Sequence, residues 1–450
     1  MRSFLSCLAL WLMVVVPAAA LDSSAQSCAE LAAYIWEPGY RDTGIAWDAI
    51  DVDAALPVCV AAHAENPDDA PTQYRLGRIY LQIKDFAAAS SLLRQAAEAG
   101  YAPAQTAYGT LYMGEEVAID YAVALHWLRA AAKAGNPVAM ANLGILYYRG
   151  YGVAQDQERY VTLQLQAAEA GVDFAQHNAG ELFELGYVVK RDLLVAEAWY
   201  RLSAAQDYVP SLRNLGLLLN RKPSELANDE EAFQFLRAAA DLGDGVAATN
   251  VGWMYAEGVG TSPDLALARS YYRQGYERGD PKAASMLGEL YEFGKGVPED
   301  QDRAFGYFVQ AAWLGDPQAQ FRVGVFLNSG IGDLARDEAT ALEWFLRAAQ
   351  QGDVEAQIAA AGIYRSVYAG EPSPLVDIDK ALYWYEVAAR SGSMKSFLDA
   401  ATLYAGKRDF ATAHAYVSYV LDSGDAELIE EAYRTIEVIR FLKQGDRIPI

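Results

Sequence analysis

A glycine recurs at Gly144, Gly180, Gly216, Gly252, Gly288 and Gly324, an interval of 36 residues held five times in succession. Gly77 and Gly109 extend the series upstream at intervals of 32 and 35. Ala361 and Ala401 hold the same place downstream at 37 and 40. A fixed period of this length marks a stack of small units, none of which can bury its apolar face alone. Chain length agrees, because 450 residues is long for one core but ordinary for an array. The series predicts ten repeats between about residues 70 and 425.

Each repeat carries the same internal order. A first helix bears a Leu-Gly-x-x-Tyr face, as in Leu143-Gly144-Ile145-Leu146-Tyr147 and Leu287-Gly288-Glu289-Leu290-Tyr291. A glycine turn follows, as in Gly150-Tyr151-Gly152-Val153 and Gly294-Lys295-Gly296-Val297. Asp156, Asp264 and Asp300 then open the second helix, where a carboxylate caps free N–H groups and suits the helix dipole. Second helices carry an aromatic core face, with Trp199-Tyr200, Trp344-Phe345 and Trp384-Tyr385. They end in Ala-Ala-x-x-Gly, at Gly135, Gly171, Gly243, Gly315 and Gly352, where glycine accepts a left-handed cap. Glycine inside the first helix costs about 1 kcal/mol relative to alanine. Its replacement only by alanine, at Ala361 and Ala401, indicates close helix approach as the return.

This 36-residue pattern resembles the Sel-1-like repeat, a longer relative of the tetratricopeptide repeat, over residues 101–392. The first and last repeats, with Lys84-Asp85-Phe86 and Lys407-Arg408-Asp409-Phe410 at the turn, look like plain tetratricopeptide units. The resemblance implies an all-α, right-handed solenoid of about ten helix-turn-helix repeats. Residues 21–69 are expected to form a helical cap, with helices near 28–35 and 53–64, and to contain Trp36 and Trp47. Residues 426–450 are expected to form a capping helix, over 426–443, and a tail.

The first 20 residues read as a signal peptide, with Arg2, an apolar stretch from Leu8 to Val16, and Ala18-Ala19-Ala20 for cleavage. Cleavage would start the mature chain at Leu21, and an uncleaved anchor is the alternative. Cys7 stands too early and Cys28 too late for a lipoprotein site. Export leaves Cys28 and Cys59, which suggests one disulfide, with two separate buried thiols as the alternative. The expected compartment is the periplasm, or the medium if the chain is secreted. No later segment reaches the length of a membrane span, so stable insertion of the mature chain is not expected. A net charge of −23 argues against nucleic acid, which calls for a basic footprint.

No constellation for chemistry stands out. His63, His126, His177 and His414 lie far apart and show no metal-ligand spacing. Nucleophile-elbow and phosphate-loop motifs are absent. Neither enzymatic activity, a metal nor a cofactor is expected. A second ladder is more informative: Asn142, Asn178, Asn214 and Asn250 stand two residues before four successive repeat glycines. Flanking repeats place Arg75, Ala107, Met286 and Arg322 there. In the related tetratricopeptide superhelices, asparagines at this position line the concave face and bond a bound peptide's main chain, so the resemblance implies a binding ladder. An amide both donates and accepts, which suits a main chain of any sequence. The bland alternative is that these amides bond neighbouring helices and set repeat spacing.

These readings describe a monomeric, non-enzymatic adaptor of the bacterial envelope that holds a protein or peptide partner. The acidic balance would favour a neutral or basic one. The resemblance also offers a rival, because some members of the family work with cell-wall or exopolysaccharide machinery and others are β-lactamase-like. Glycan binding would need exposed aromatics, with Trp253, Trp313 and Trp344 as candidates, and a weak hydrolase would need a nucleophile and a base.

Overall fold

The structure, a computed structural model, describes residues 24–444 apart from 42, 47, 48, 115, 116, 222–225, 366, 369, 370, 373 and 374. The expected signal peptide, Trp47 and the end of the expected tail, residues 445–450, therefore lie outside the described residues. The chain divides into two compact units, residues 1–211 and 212–450.

The first unit opens with helices Ser24–Ala32 and Val52–Glu65, joined by the Cys28–Cys59 disulfide. Four helix pairs follow: Ala70–Gln82 with Phe86–Glu98, Ala102–Leu111 with Tyr121–Lys133, Pro137–Arg149 with Gln157–Glu169, and Asp173–Leu185 with Leu193–Ala204. The next first helix, Val209–Leu219, runs across the division, and Asp229–Asp241 follows it. The second unit continues with Gly245–Glu257 and Leu265–Glu277, Pro281–Glu292 and Gln301–Trp313, and Pro317–Ser329 and Glu338–Gln350. Val354–Arg365 and Ile378–Arg390 form the next pair, with a two-residue antiparallel ladder, Val367–Tyr368 against Glu371–Pro372, between them. Met394–Gly406 and Phe410–Leu421 complete ten pairs, and Ala426–Lys443 packs on both. The fold is an all-α repeat solenoid, as the glycine series predicts. Among the described residues no helix is long and apolar enough to cross a membrane.

The reason for the ladder glycines is steric. A Cβ on Gly180 would sit 2.5 Å from the Tyr200 ring, on Gly252 2.6 Å from Tyr272, on Gly288 2.7 Å from Phe308 and on Gly324 2.5 Å from Phe345. Each ring comes from the second helix of the same repeat and is almost fully buried. The missing methyl makes room for a large apolar knob, and burying such a side chain contributes about 1.5–3 kcal/mol, more than the glycine costs. Capping follows the sequence reading: Asp156, Asp264 and Asp300 accept from Arg159, Ala266 and Arg303 N–H groups respectively. The turn after Gly186 departs from the glycine pattern. Val188 takes φ 64°, the left-handed conformation that Gly152, Gly260, Gly296 and Gly332 hold in other repeats. A β-branched residue there is strained.

The N-terminal cap differs from expectation at its first helix, which spans Ser24–Ala32 rather than 28–35. Residues 33–41 and 43–46 instead turn back across the first repeats as an irregular strap. Within the strap, Tyr34 bridges Ile45, and Ile45 N–H donates to Ala33 O.

Candidate binding site

The strap is fastened by groups buried beneath it. Glu37 is 3% exposed and accepts from Arg75, at 2.8 Å, and from the Tyr101 hydroxyl, also at 2.8 Å. Arg78, 1% exposed, donates to the carbonyls of Ala32, Ile45 and Ala46. Burial lowers its guanidinium pKa and raises that of the Tyr101 phenol, which the Glu37 charge raises further. Further along, Trp36 packs against the apolar cluster around Ala141, Ala168 and Ala175. Arg41 covers the Trp36 ring at 3.6 Å, and its guanidinium reaches the Ala170 and Gly171 carbonyls. The strap therefore runs from the first repeat to the third.

Between the strap and the first helices of those repeats lies a pocket of about 330 Å³. Tyr34, Trp36, Tyr74 and Phe86 supply ring walls, and Leu81, Leu111 and Val138 supply aliphatic ones. Thr106, Thr110, Asn136 and Asn142 bring polar groups. A second pocket, of about 370 Å³, opens at Asn178 among Tyr148, Tyr160, Leu185 and Tyr187. The Tyr160 phenol there is pushed up to about 12 by burial and the nearby Glu181 charge.

The six ladder positions do not behave alike. Asn142 lines the first pocket and donates from Nδ2 to Thr110 Oγ1 at 3.1 Å. Asn178 lines the second and donates to Gln164 Oε1 at 3.0 Å. Gln164 is fully buried, stands opposite Gly144 and donates to Ala141 O at 2.8 Å. Asn178 is thus part of a buried polar chain and serves the structural alternative. Asn250 bonds Val246 O within its own helix, and Asn214 accepts from Arg213 Nε. The two arginines are corrections to the ladder. Arg75 is 6% exposed beneath the strap, held by Glu37, so it offers nothing to a partner. Arg322 pairs with Glu292 and is partly buried between the Phe293 and Phe308 rings.

A periodic feature escapes the sequence reading. Gln105, Gln176, Gln320 and Gln357 stand four residues before a repeat glycine or its alanine substitute. Each is buried and donates to a carbonyl of the preceding second helix, at Ala97, Ala168, Ala312 and Ala349 respectively. Their shared interval was the available signal. They staple one repeat to the next.

The fold brings one serine to a histidine, the pair that a hydrolase would need. His177 Nδ1 lies 2.9 Å from Ser211 Oγ, and Nε2 lies 3.5 Å from Glu181. Proton bookkeeping opposes a base role. Ser203 spends its proton on Asp173 O and Ser211 spends its own on Ser203, so His177 Nδ1 must donate. A ring nitrogen that donates cannot take a proton from that hydroxyl. Both serines are 0% exposed, which closes the site to substrate.

The Sel1 repeat family profile matches eight consecutive stretches that together run over residues 102–393. This chain belongs to the Sel1 repeat family. A tetratricopeptide repeat profile matches residues 46–110, where the first turn already looked like that unit. Among solved structures, this Sel1 chain is similar to c5321, a protective antigen of uropathogenic Escherichia coli with the same repeat fold. Identity is 26% and TM-score 0.57, covering 87% of this chain and 94% of that one. A Sel1 repeat protein from Oxalobacter formigenes is 27% identical with TM-score 0.53, covering 70% and 91%. A curated relative, the chitin synthase regulator SKT5 of Saccharomyces cerevisiae, is 29% identical over 157 residues, which is 33% of this chain. The chain spans about a quarter of that relative's length, 23%. Sel1 and tetratricopeptide arrays are protein-interaction modules, typically without catalysis.

Proposed function

We propose that this Sel1 chain is an exported, non-enzymatic scaffold of the bacterial envelope. It works in the periplasm as a monomer and gathers a protein or peptide partner on the first-helix face of its first repeats. The observation that carries this reading is the pocket at Asn142. There a ladder amide, two threonines and a wall of rings meet at an open cavity of about 330 Å³. Apolar walls with a few convergent polar groups are the usual make-up of a recognition site. Asn142 keeps Oδ1 as an acceptor while Nδ2 holds Thr110. The buried His177–Ser211 pair supports leaving catalysis out. The yeast relative bears the name of a regulator of an enzyme, which is in keeping with adaptor work.

The test is isolation of the full chain from fractionated cells under native conditions. A discrete protein that copurifies from the periplasmic fraction, and is lost with Thr110→Arg but kept with Leu202→Glu on a second helix, supports the reading. Residence in the cytoplasm, or a partner indifferent to Thr110, refutes it. One observation favours a second reading, association with polysaccharide-building machinery. Trp313 is 68% exposed on a second helix, with the Arg347 guanidinium 5.3 Å from its ring centre. Retention of the chain on insoluble polysaccharide, lost with Trp313→Ala, would favour that alternative. Trp344 is buried beneath it and Trp253 is 37% exposed.

A further inference from the structure

One residue of the pocket is placed oddly for its chemistry. Asn136 caps the helix Pro137–Arg149, accepting Ala139 N–H at 3.0 Å through Oδ1. The same first-helix cap is aspartate in five other repeats, at Asp69, Asp244, Asp280, Asp316 and Asp353. Aspartate caps as well as asparagine, so capping does not explain the amide. In an acidic chain with 59 Asp and Glu residues, Asn136 is a neutral amide cap that stands at a pocket.

The use of the remaining polar atom sharpens the contrast. Asp244, Asp280 and Asp316 each also bond a side chain of the preceding first helix, from Arg213, Thr249 and Ser285 respectively. At the corresponding place before Asn136 stands Gln105, which is turned to Ala97 O instead. Asn136 is only 8% exposed, yet its Nδ2 group has no partner among the described residues. The amide nitrogen is therefore available at the cavity to donate to a ligand. Among the described residues no charged side chain lines the cavity, whose walls include Trp36, Tyr74 and Phe86.

We infer that the pocket takes one uncharged aromatic residue of a partner segment. Its ring lies among Trp36, Tyr74 and Phe86, and its main-chain carbonyl accepts from Asn136 Nδ2. Asn142 Oδ1, across the cavity, is placed to accept a main-chain N–H. This rests on the first-helix face being a binding surface, and it changes the partner expected from net charge alone: no described residue of the lining offers a basic side chain a counter-charge. A size of about 330 Å³ suits one large side chain with its peptide group.

The probes are N-acetyl-tyrosinamide and N-acetyl-tryptophanamide, titrated into the full chain by calorimetry and saturation-transfer NMR. N-acetyl-lysinamide and N-acetylglucosamine serve as contrasts. Asn136→Asp keeps the cap and removes the donor, and Ala107→Leu fills the cavity. The expected result is saturable one-to-one binding of the aromatic amides, at least tenfold weaker to both variants at unchanged melting temperature. No saturable binding of either aromatic amide, or equal binding to Asn136→Asp, overturns the inference. Preference for the lysine amide overturns its neutrality, and preference for the sugar replaces the peptide by a glycan. If a partner copurifies and depends on Thr110 but ignores Asn136→Asp, only the pocket assignment falls.

Discussion

Substituting the ladder glycines separates two opposed effects of one methyl group. In an exposed helix, Gly→Ala gains about 1 kcal/mol from propensity. Gly306, in the helix Gln301–Trp313, has nothing within 4 Å of a built Cβ, so Gly306→Ala should raise stability by about 0.5–1 kcal/mol. At Gly180 the new Cβ lies 2.5 and 2.6 Å from two Tyr200 ring atoms, against 3.4–4 Å for ordinary contact. The ring must yield by roughly 1 Å, and overpacking of that kind costs about 1–3 kcal/mol. Tyr200 is fully buried, and its hydroxyl donates to Glu184 at 2.9 Å, a bond worth about 1 kcal/mol that the shift would strain. The net expectation for Gly180→Ala is a loss of about 1–3 kcal/mol. Gly77→Ala meets the Cδ2 and Cγ atoms of the buried Leu93 at 2.9 Å, a milder overlap with a more flexible side chain, so it should cost less than Gly180→Ala. The assay is urea unfolding followed by circular dichroism, compared at equal slope because arrays can unfold in parts. If Gly180→Ala matches Gly306→Ala, or Gly77→Ala costs as much as Gly180→Ala, close approach is not why glycine recurs.

Val188→Gly should stabilise the first unit by about 0.5–1.5 kcal/mol, because it relieves a β-branched residue at φ 64°; a fall in the unfolding midpoint would refute the strain. Asn178→Ala should cost about 1–3 kcal/mol by leaving Gln164 Oε1 buried without its donor, and an unchanged midpoint would return Asn178 to the binding ladder. Alkali should unfold the protein through its tyrosines. Tyr108, Tyr160 and Tyr385 are each raised from 10.0 to about 12, chiefly by burial. A raised folded value means that the native state holds the phenol proton more tightly. Their contribution is therefore complete below pH 10 and is lost as pH climbs to about 12. Phenolate absorbance should rise late and together with loss of helix, whereas early ionisation without unfolding would contradict the assignment.

The parts of the fold legible in sequence are those encoded within one repeat. A glycine and the ring it faces lie some twenty residues apart, as with Gly180 and Tyr200, and recur until the period is unmistakable. The capping aspartates and the last helix, Ala426–Lys443, are equally local. The candidate site is legible only in part. Asn142 stood in the visible ladder, but nothing local says that Thr110 shares its amide or that Asn178 serves a buried glutamine instead. Arg75 occupies a ladder position and is sealed by Glu37, 38 residues upstream and outside the periodic region. The strap depends on contacts such as Arg41 with Gly171, 130 residues apart, and no period encodes those. Asn136 was hidden for the opposite reason: as a helix cap it looked ordinary, and only its unpartnered Nδ2 at a cavity distinguishes it.

Amide hydrogen exchange on the full chain, alone and with its copurified partner, tests where that partner sits. Seating on the first-helix face should slow exchange in Ala102–Leu111 and Pro137–Arg149, and in the strap around Trp36, while Tyr121–Lys133 and Gln157–Glu169 stay unchanged. Protection confined to the second helices, or a stoichiometric complex with no protection in the first unit, would remove the scaffold surface from the place assigned to it.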